Sequence, residues 1–151
     1  MSRSGYDDDY GCDDPLLIGR WRAQVNSAIR GARGQGFLRD LAVAMDAMQD
    51  KSLIAGELVN EHGGCCAIGV VCKARGLDVS AIDYDDTSAV GAAVGIAHQM
   101  AAEIEYENDE NALWSLRCEE TPSDRWRRMR RWVDAKLNID AKLNSKAAAK
   151  C

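Results

Sequence analysis

Aromatic side chains are scarce in this chain. They make up 6% of its 151 residues, with a single Phe. β-Sandwiches draw heavily on aromatic and β-branched residues, so the alanine-rich composition favours helices instead. No apolar run approaches the roughly 20 residues that a spanning helix needs, and the N-terminus lacks a secretory pattern. The expectation is a cytoplasmic chain whose six cysteines stay reduced. Neither a GxxxxGK[ST] loop nor a full GxGxxG is present to cradle a nucleotide. Asp83-x-Asp85 lacks the later glycine and glutamate of a calcium loop.

A zinc site wants two close ligand pairs. His62-x-x-Cys65 supplies one, but Cys66 and Cys72 have the wrong spacing for the other. A Cys–His nucleophile built from Cys65 or Cys66 with His62 or His98 lacks a third, orienting member. Core packing is the better reading of these cysteines. No catalytic residue, metal ligand or cofactor is therefore expected, and the chain does not read as an enzyme.

What is present is segregated charge. Residues 7–14 hold five aspartates, and residues 15–39 hold five arginines with no acid. Residues 78–120 hold eleven acids against Arg117, and residues 125–150 return nine bases against Asp134 and Asp140. Separation of this kind implies opposing faces, paired within the fold or offered to partners.

A chain of this length suits one domain that buries about 70% of its unfolded surface. Residues 63–76 form its most apolar stretch, which reads as a helix covered on all sides and stopped at Gly76. Residues 1–13 have little to bury and are expected to be a disordered acidic N-terminus. Asp14-Pro15 then opens an amphipathic helix with Leu17, Trp21, Val25 and Ile29 on one face. It ends in the glycine-rich, basic run Arg30–Gly36, and a second helix begins near Phe37. Arg30 and Arg33 beside those glycines form a minor candidate anion site. Residues 52–66 leave room for one short β-hairpin, with a turn at Asn60–Gly64.

Residues 87–94 and 97–108 match the apolar, small and glycine positions of a helix-turn-helix. The would-be reading helix offers bases only His98 and Gln99, followed by Glu103, Glu105, Glu107, Asp109 and Glu110. Phosphate contacts dominate DNA affinity, so direct DNA contact through this helix is not expected. The five acids read as an acidic surface: a solvated face, a partner for a basic helix, or an imitation of DNA. Thr121-Pro122 caps a last helix whose stripe is Trp126, Met129, Val133 and Leu137. Arg125, Arg127, Arg128, Arg130, Arg131 and Trp132 form its candidate partner- or nucleic-acid-binding surface, with Arg127, Arg128, Arg131 and Trp132 expected to face outward. Binding outward and neutralising residues 103–110 both remain open. Residues 134–151 repeat Asp-Ala-Lys-Leu-Asn and are expected to be a helical extension or a frayed tail. The fold class is mainly α: a multi-helix single domain over residues 14–133.

Several of these segments occur together in a pattern that can be placed. They are Ala28-Ile-Arg-Gly-Ala-Arg-Gly-Gln-Gly-Phe-Leu-Arg-Asp-Leu41, Leu53-Ile-Ala-Gly-Glu-Leu58, Cys66-Ala-Ile-Gly69, Lys73-Ala-Arg-Gly-Leu-Asp78 and Glu107-Asn-Asp-Glu110. Glu120-Thr-Pro-Ser-Asp-Arg-Trp-Arg-Arg-Met-Arg-Arg-Trp-Val133 completes the set. Over about residues 15–133 the chain resembles a family of small uncharacterised proteins encoded by tailed phages and prophages. Cys65, the arginine-rich last helix and the repeated tail look like departures from that pattern. The resemblance brings no functional residues. It implies a phage accessory protein in the cytoplasm of a bacterial host. Together with the segregated charge and the lack of a catalytic constellation, this leads to the expectation of action without catalysis by binding a host or phage macromolecule, a protein foremost, in one version to counter host defence. The alternative is a nucleic-acid-associated protein using the basic C-terminal helix. No membrane partner is expected.

Overall fold

A computed structural model describes residues 15–111 and 119–149, with the backbone alone over 138–148. The disorder expected over residues 1–13 lies outside the described residues, as do Arg117, Cys12, Cys118 and Cys151. Six α-helices are present among the described residues: α1 (Pro15–Arg30), α2 (Ala32–Ala47), α3 (Ala67–Ala74), α4 (Thr87–Val94), α5 (His98–Asp109) and α6 (Pro122–Ala148). The chain is mainly helical, with no strand among those residues. No described helix is long and apolar enough to cross a membrane.

Helices α1 and α2 meet at a tighter corner than the glycine-rich run suggests. The second helix begins at Ala32, five residues before the expected start near Phe37, and only Gly31 separates it from α1. Close packing explains the correction. A Cβ on Gly34 would stand 2.0 Å from the Ala28 carbonyl oxygen and 2.9 Å from that of Ile29. The glycine lets the first turn of α2 lie against the last turn of α1, where a loop was expected. Gln35 is buried beside it and donates from Nε2 to Ile29 O at 2.8 Å. Along α1 only Val25 and Ile29 are fully buried, and Trp21 packs in part. Leu17 lies on the same stripe yet overhangs the core at 46% exposure.

The hairpin expected near residues 52–66 is reduced to an isolated antiparallel bridge between Val59 and Cys65. Within the segment Ile54 N–H donates to Cys65 O, Cys66 N–H to Leu58 O and Asn60 N–H to Gly64 O. Other groups go elsewhere: Leu53 N–H donates to Pro122 O at 3.0 Å, while Leu53 O accepts from Arg125 and Ile54 O accepts from Asn108. Backbone groups satisfied by neighbouring helices are not available to extend a ladder. The turn at Asn60–Gly64 forms around the Asn60 side chain, whose Oδ1 accepts from the His62 and Gly64 N–H groups.

Helix α3 is buried from Ala67 to Cys72, in keeping with its all-round apolar sequence. Cys66 caps it, its Sγ accepting from Gly69 N at 3.4 Å. Asp86 caps α4 through the Ser88 and Ala89 N–H groups, and Gly95 closes it at φ +81°. This yields the helix pair expected at residues 87–108. Its second member, α5, is the hub of the fold and packs against α1, α3, α4 and α6. Met100 to Glu105 and Asn108 are all buried. Thr121 opens α6, its Oγ1 accepting from Asp124 N at 3.1 Å, and Met129 and Val133 dock that helix at 0% exposure.

Candidate functional surfaces

The arginine-rich start of α6 divides into inner and outer members. Arg125 donates from Nε to Asn108 O and from Nη1 to Leu53 O, both at 3.0 Å. Arg128 grips the Glu120 carboxylate at 2.6 and 3.0 Å and also donates to the carbonyls of Glu107 and Asn108. The Glu120 side chain is 5% exposed, so this cluster is withdrawn from solvent. Two guanidinium groups thus satisfy the last carbonyls of α5, where cations also complement the helix dipole. Arg130 bonds Asp46 of α2 at 2.8 and 2.9 Å and Asp134 on its own helix. Its hydrogen bond holds the Asp46 carboxyl below the usual carboxylate range. Arg127 pairs with Asp124 at 2.9 Å.

The outward orientation expected for Arg127, Arg128, Arg131 and Trp132 therefore needs correction. Arg127 and Arg131 are exposed, but Arg128 faces α5 and Trp132 packs against the core, with Lys136 Nζ 5.7 Å from its ring centroid. Helical periodicity separates a buried stripe from the opposite face. It does not say which flank meets the end of a neighbouring helix.

The acidic surface needs a larger correction. Glu103 and Glu105 are 2% and 1% exposed. Glu103 accepts Arg22 Nη1 from α1 at 3.0 and 3.2 Å. Asp109 accepts the Tyr84 hydroxyl at 2.9 Å and the Gly56 N–H at 3.1 Å. Asn108 beside it accepts from Ala67 N at 3.2 Å and donates to Ile54 O at 2.9 Å. These two residues tie α5 to the start of α3 and to the 54–56 loop. Glu107 is half-buried, and desolvation raises its carboxyl above the usual range. Packing against four other helices buries Glu103 and Glu105 and leaves Glu107, Asp109 and Glu110 partly exposed. The helix pair, Thr87–Val94 and His98–Asp109, lies within one residue of the expected 87–94 and 97–108.

Cys65, Cys66 and Cys72 are buried, and burial raises the pKa of each. The His62 side chain is 82% exposed beside Glu61, and His98 lies 6.1 Å from the Trp21 ring. Among the described residues no group of His, Cys, Asp and Glu is placed to hold a metal ion.

Two surfaces remain. On α1 and α2, Arg20, Arg30, Arg33 and Arg39 are exposed without a hydrogen bond or ion pair among the described residues, as is Arg131 on α6. Arg30 and Arg33, the minor anion candidates, flank the α1–α2 corner. The first turns of α1 also present Leu16, Leu17 and Ile18 at 72%, 46% and 52% exposure. The second surface is a groove of about 690 Å³ between the end of α2, the 49–52 loop, the Asn60–Gly64 turn and α3. Of its lining residues, the sequence drew attention to His62 and Cys65, as a metal or nucleophile pair, and not to Lys73. No protein-family model, curated protein or solved structure matches the chain.

Proposed function

We propose that this is a phage accessory protein of the bacterial cytoplasm that acts without catalysis, by binding a host or phage protein through α1. The observation that carries this reading is the outward run Leu16–Leu17–Ile18 with Arg20 beside it. Exposed apolar side chains rimmed by charged residues mark protein-interaction sites. The test is capture from bacterial lysate, split into nuclease-treated and untreated halves, with the wild type and a Leu17→Ser/Ile18→Ser variant. A protein recovered from both halves by the wild type and lost by the variant supports the reading. An unchanged capture profile for the variant refutes it.

A second reading, nucleic-acid association, is favoured by the exposed arginines that have no hydrogen bond or ion pair among the described residues. It rests on Arg20, Arg30, Arg33, Arg39 and Arg131, since Arg125, Arg128 and Arg130 are engaged within the fold. Binding to duplex or single-stranded nucleic acid should then weaken steeply with salt. Flat salt dependence removes it.

A further inference from the structure

We infer that the groove between α2 and α3 is a binding site for a small carboxylate with an apolar body. Its volume, about 690 Å³, falls in the range of small-molecule sites. Ala44, Ala47, Met48, Cys65, Val70 and Ala74 supply an apolar lining of mostly small side chains, which leaves width for a ring or a branched chain.

Charge is placed unevenly around that lining. Lys73, in the last turn of α3, reaches across the rim and donates from Nζ to Gly63 O at 3.2 Å. It has no carboxylate partner among the described residues, and an ammonium with one neutral acceptor retains donors for an anion. His62 stands on the turn beside it. Two acids stand near: Asp50, on the loop after α2, already accepts the Ser52 hydroxyl at 2.8 Å, and Glu61 Oε1 lies 3.4 Å from His62 Nε2. The turn is built to keep this corner open. Gly63 has φ +78°, and a Cβ there would lie 3.6 Å from Lys73 Nζ. A Cβ on Gly64 would lie 2.9 Å from Ile54 Cγ2. A side chain at Gly63 would be strained by the positive φ, and one at Gly64 would displace the Ile54 side chain.

The site is independent of the α1 surface and of any macromolecular partner. An anion would seat its carboxylate on Lys73 and lay its apolar part on Val70, Ala47 and Ala74.

The test is an NMR titration of the intact protein with three probes of one shape: 4-phenylbutyrate, 4-phenylbutanol and 4-phenylbutylamine. The proposal expects saturable shifts at Gly63, Gly64 and Val70 with the acid, weaker binding of the alcohol and weakest binding of the amine. Lys73→Gln should weaken the acid about tenfold and leave the alcohol unchanged, the size expected for one charge-assisted hydrogen bond. Ala47→Trp, which fills the lining, should abolish binding of all three. Equal affinity for the three probes overturns the proposal. So does an acid affinity indifferent to Lys73→Gln, or shifts that fail to saturate at millimolar probe.

Discussion

Around the C-terminus of α5, arginines are structural members: Arg125 and Arg128 are 14% and 17% exposed and close on Glu120 and on backbone carbonyls. On α1 and α2, Arg20, Arg30, Arg33 and Arg39 stand in solvent without partners among the described residues. The same side chain serves two ends. Where a helix terminus and a buried carboxylate are nearby, its planar fork satisfies several acceptors at once. Where neither is nearby, its charge stays available. The comparison shows that density of arginine in sequence is a poor guide to a binding surface. The densest run, Arg125–Arg131, is mostly engaged internally, as are Arg22 and Arg75, while Arg20, Arg30, Arg33 and Arg39 are accessible.

The sharpest way to break this contrast is at the buried cluster. Arg128→Ala should destabilise the fold by about 3 kcal/mol, because it leaves Glu120 and two α5 carbonyls without that donor. Urea denaturation measures it, and a loss below about 1 kcal/mol would mean that the cluster is not structural. Gly34→Ala should cost about 2 kcal/mol by forcing α1 and α2 apart at their corner. Calorimetry should show the lowered midpoint, and an unchanged midpoint would deny the close approach.

Next in size is a pH effect on α5. Burial raises the folded pKa of Glu107 above its unfolded value, so the folded state favours the protonated carboxyl. Its contribution is therefore fully present below the unfolded pKa and is lost as pH rises through the folded one. Glu107→Gln should raise stability at neutral pH relative to wild type, and the difference should shrink as pH falls through the carboxylate range. Asp46 has the opposite sign, since Arg130 lowers its pKa and its contribution is lost only in acid. Thermal melts against pH separate the two. A Glu107→Gln curve parallel to wild type would refute the assignment.

The smallest expected change is on the open surface. Each of Arg20→Gln, Arg33→Gln and Arg39→Gln should alter stability by less than about 0.5 kcal/mol. A loss comparable to that of Arg128→Ala would erase the contrast between the two regions.

Much of the fold was legible because it rests on local chemistry. Asp86 and Thr121 are cap residues, Pro15 and Pro122 start helices, and Gly95 stops one at positive φ, all within a few residues of chain. The core stripe Trp126–Met129–Val133–Leu137 followed from helical period alone, as did the burial of α3. The candidate sites were less legible. The row Glu103–Glu110 has the composition of a solvated face, and only the packing of α1 and α4 over α5 buries Glu103 and Glu105. Gly31, Gly34 and Gly36 look like a loop until α1 is brought within 2.0 Å of a would-be Cβ on Gly34. Lys73 and Asp50 lie 23 positions apart and share a groove only because α2 and α3 pack together.

By itself, then, the sequence determined that this chain is mainly helical, where most helices start and stop, and that α3 and one stripe of α6 face inward. Those properties depend on neighbours within one or two turns. Tertiary structure alone decided which charges are buried, which arginines remain available and where a groove opens. Electrostatic role depends on distance and desolvation, and both are set by elements far apart in the chain.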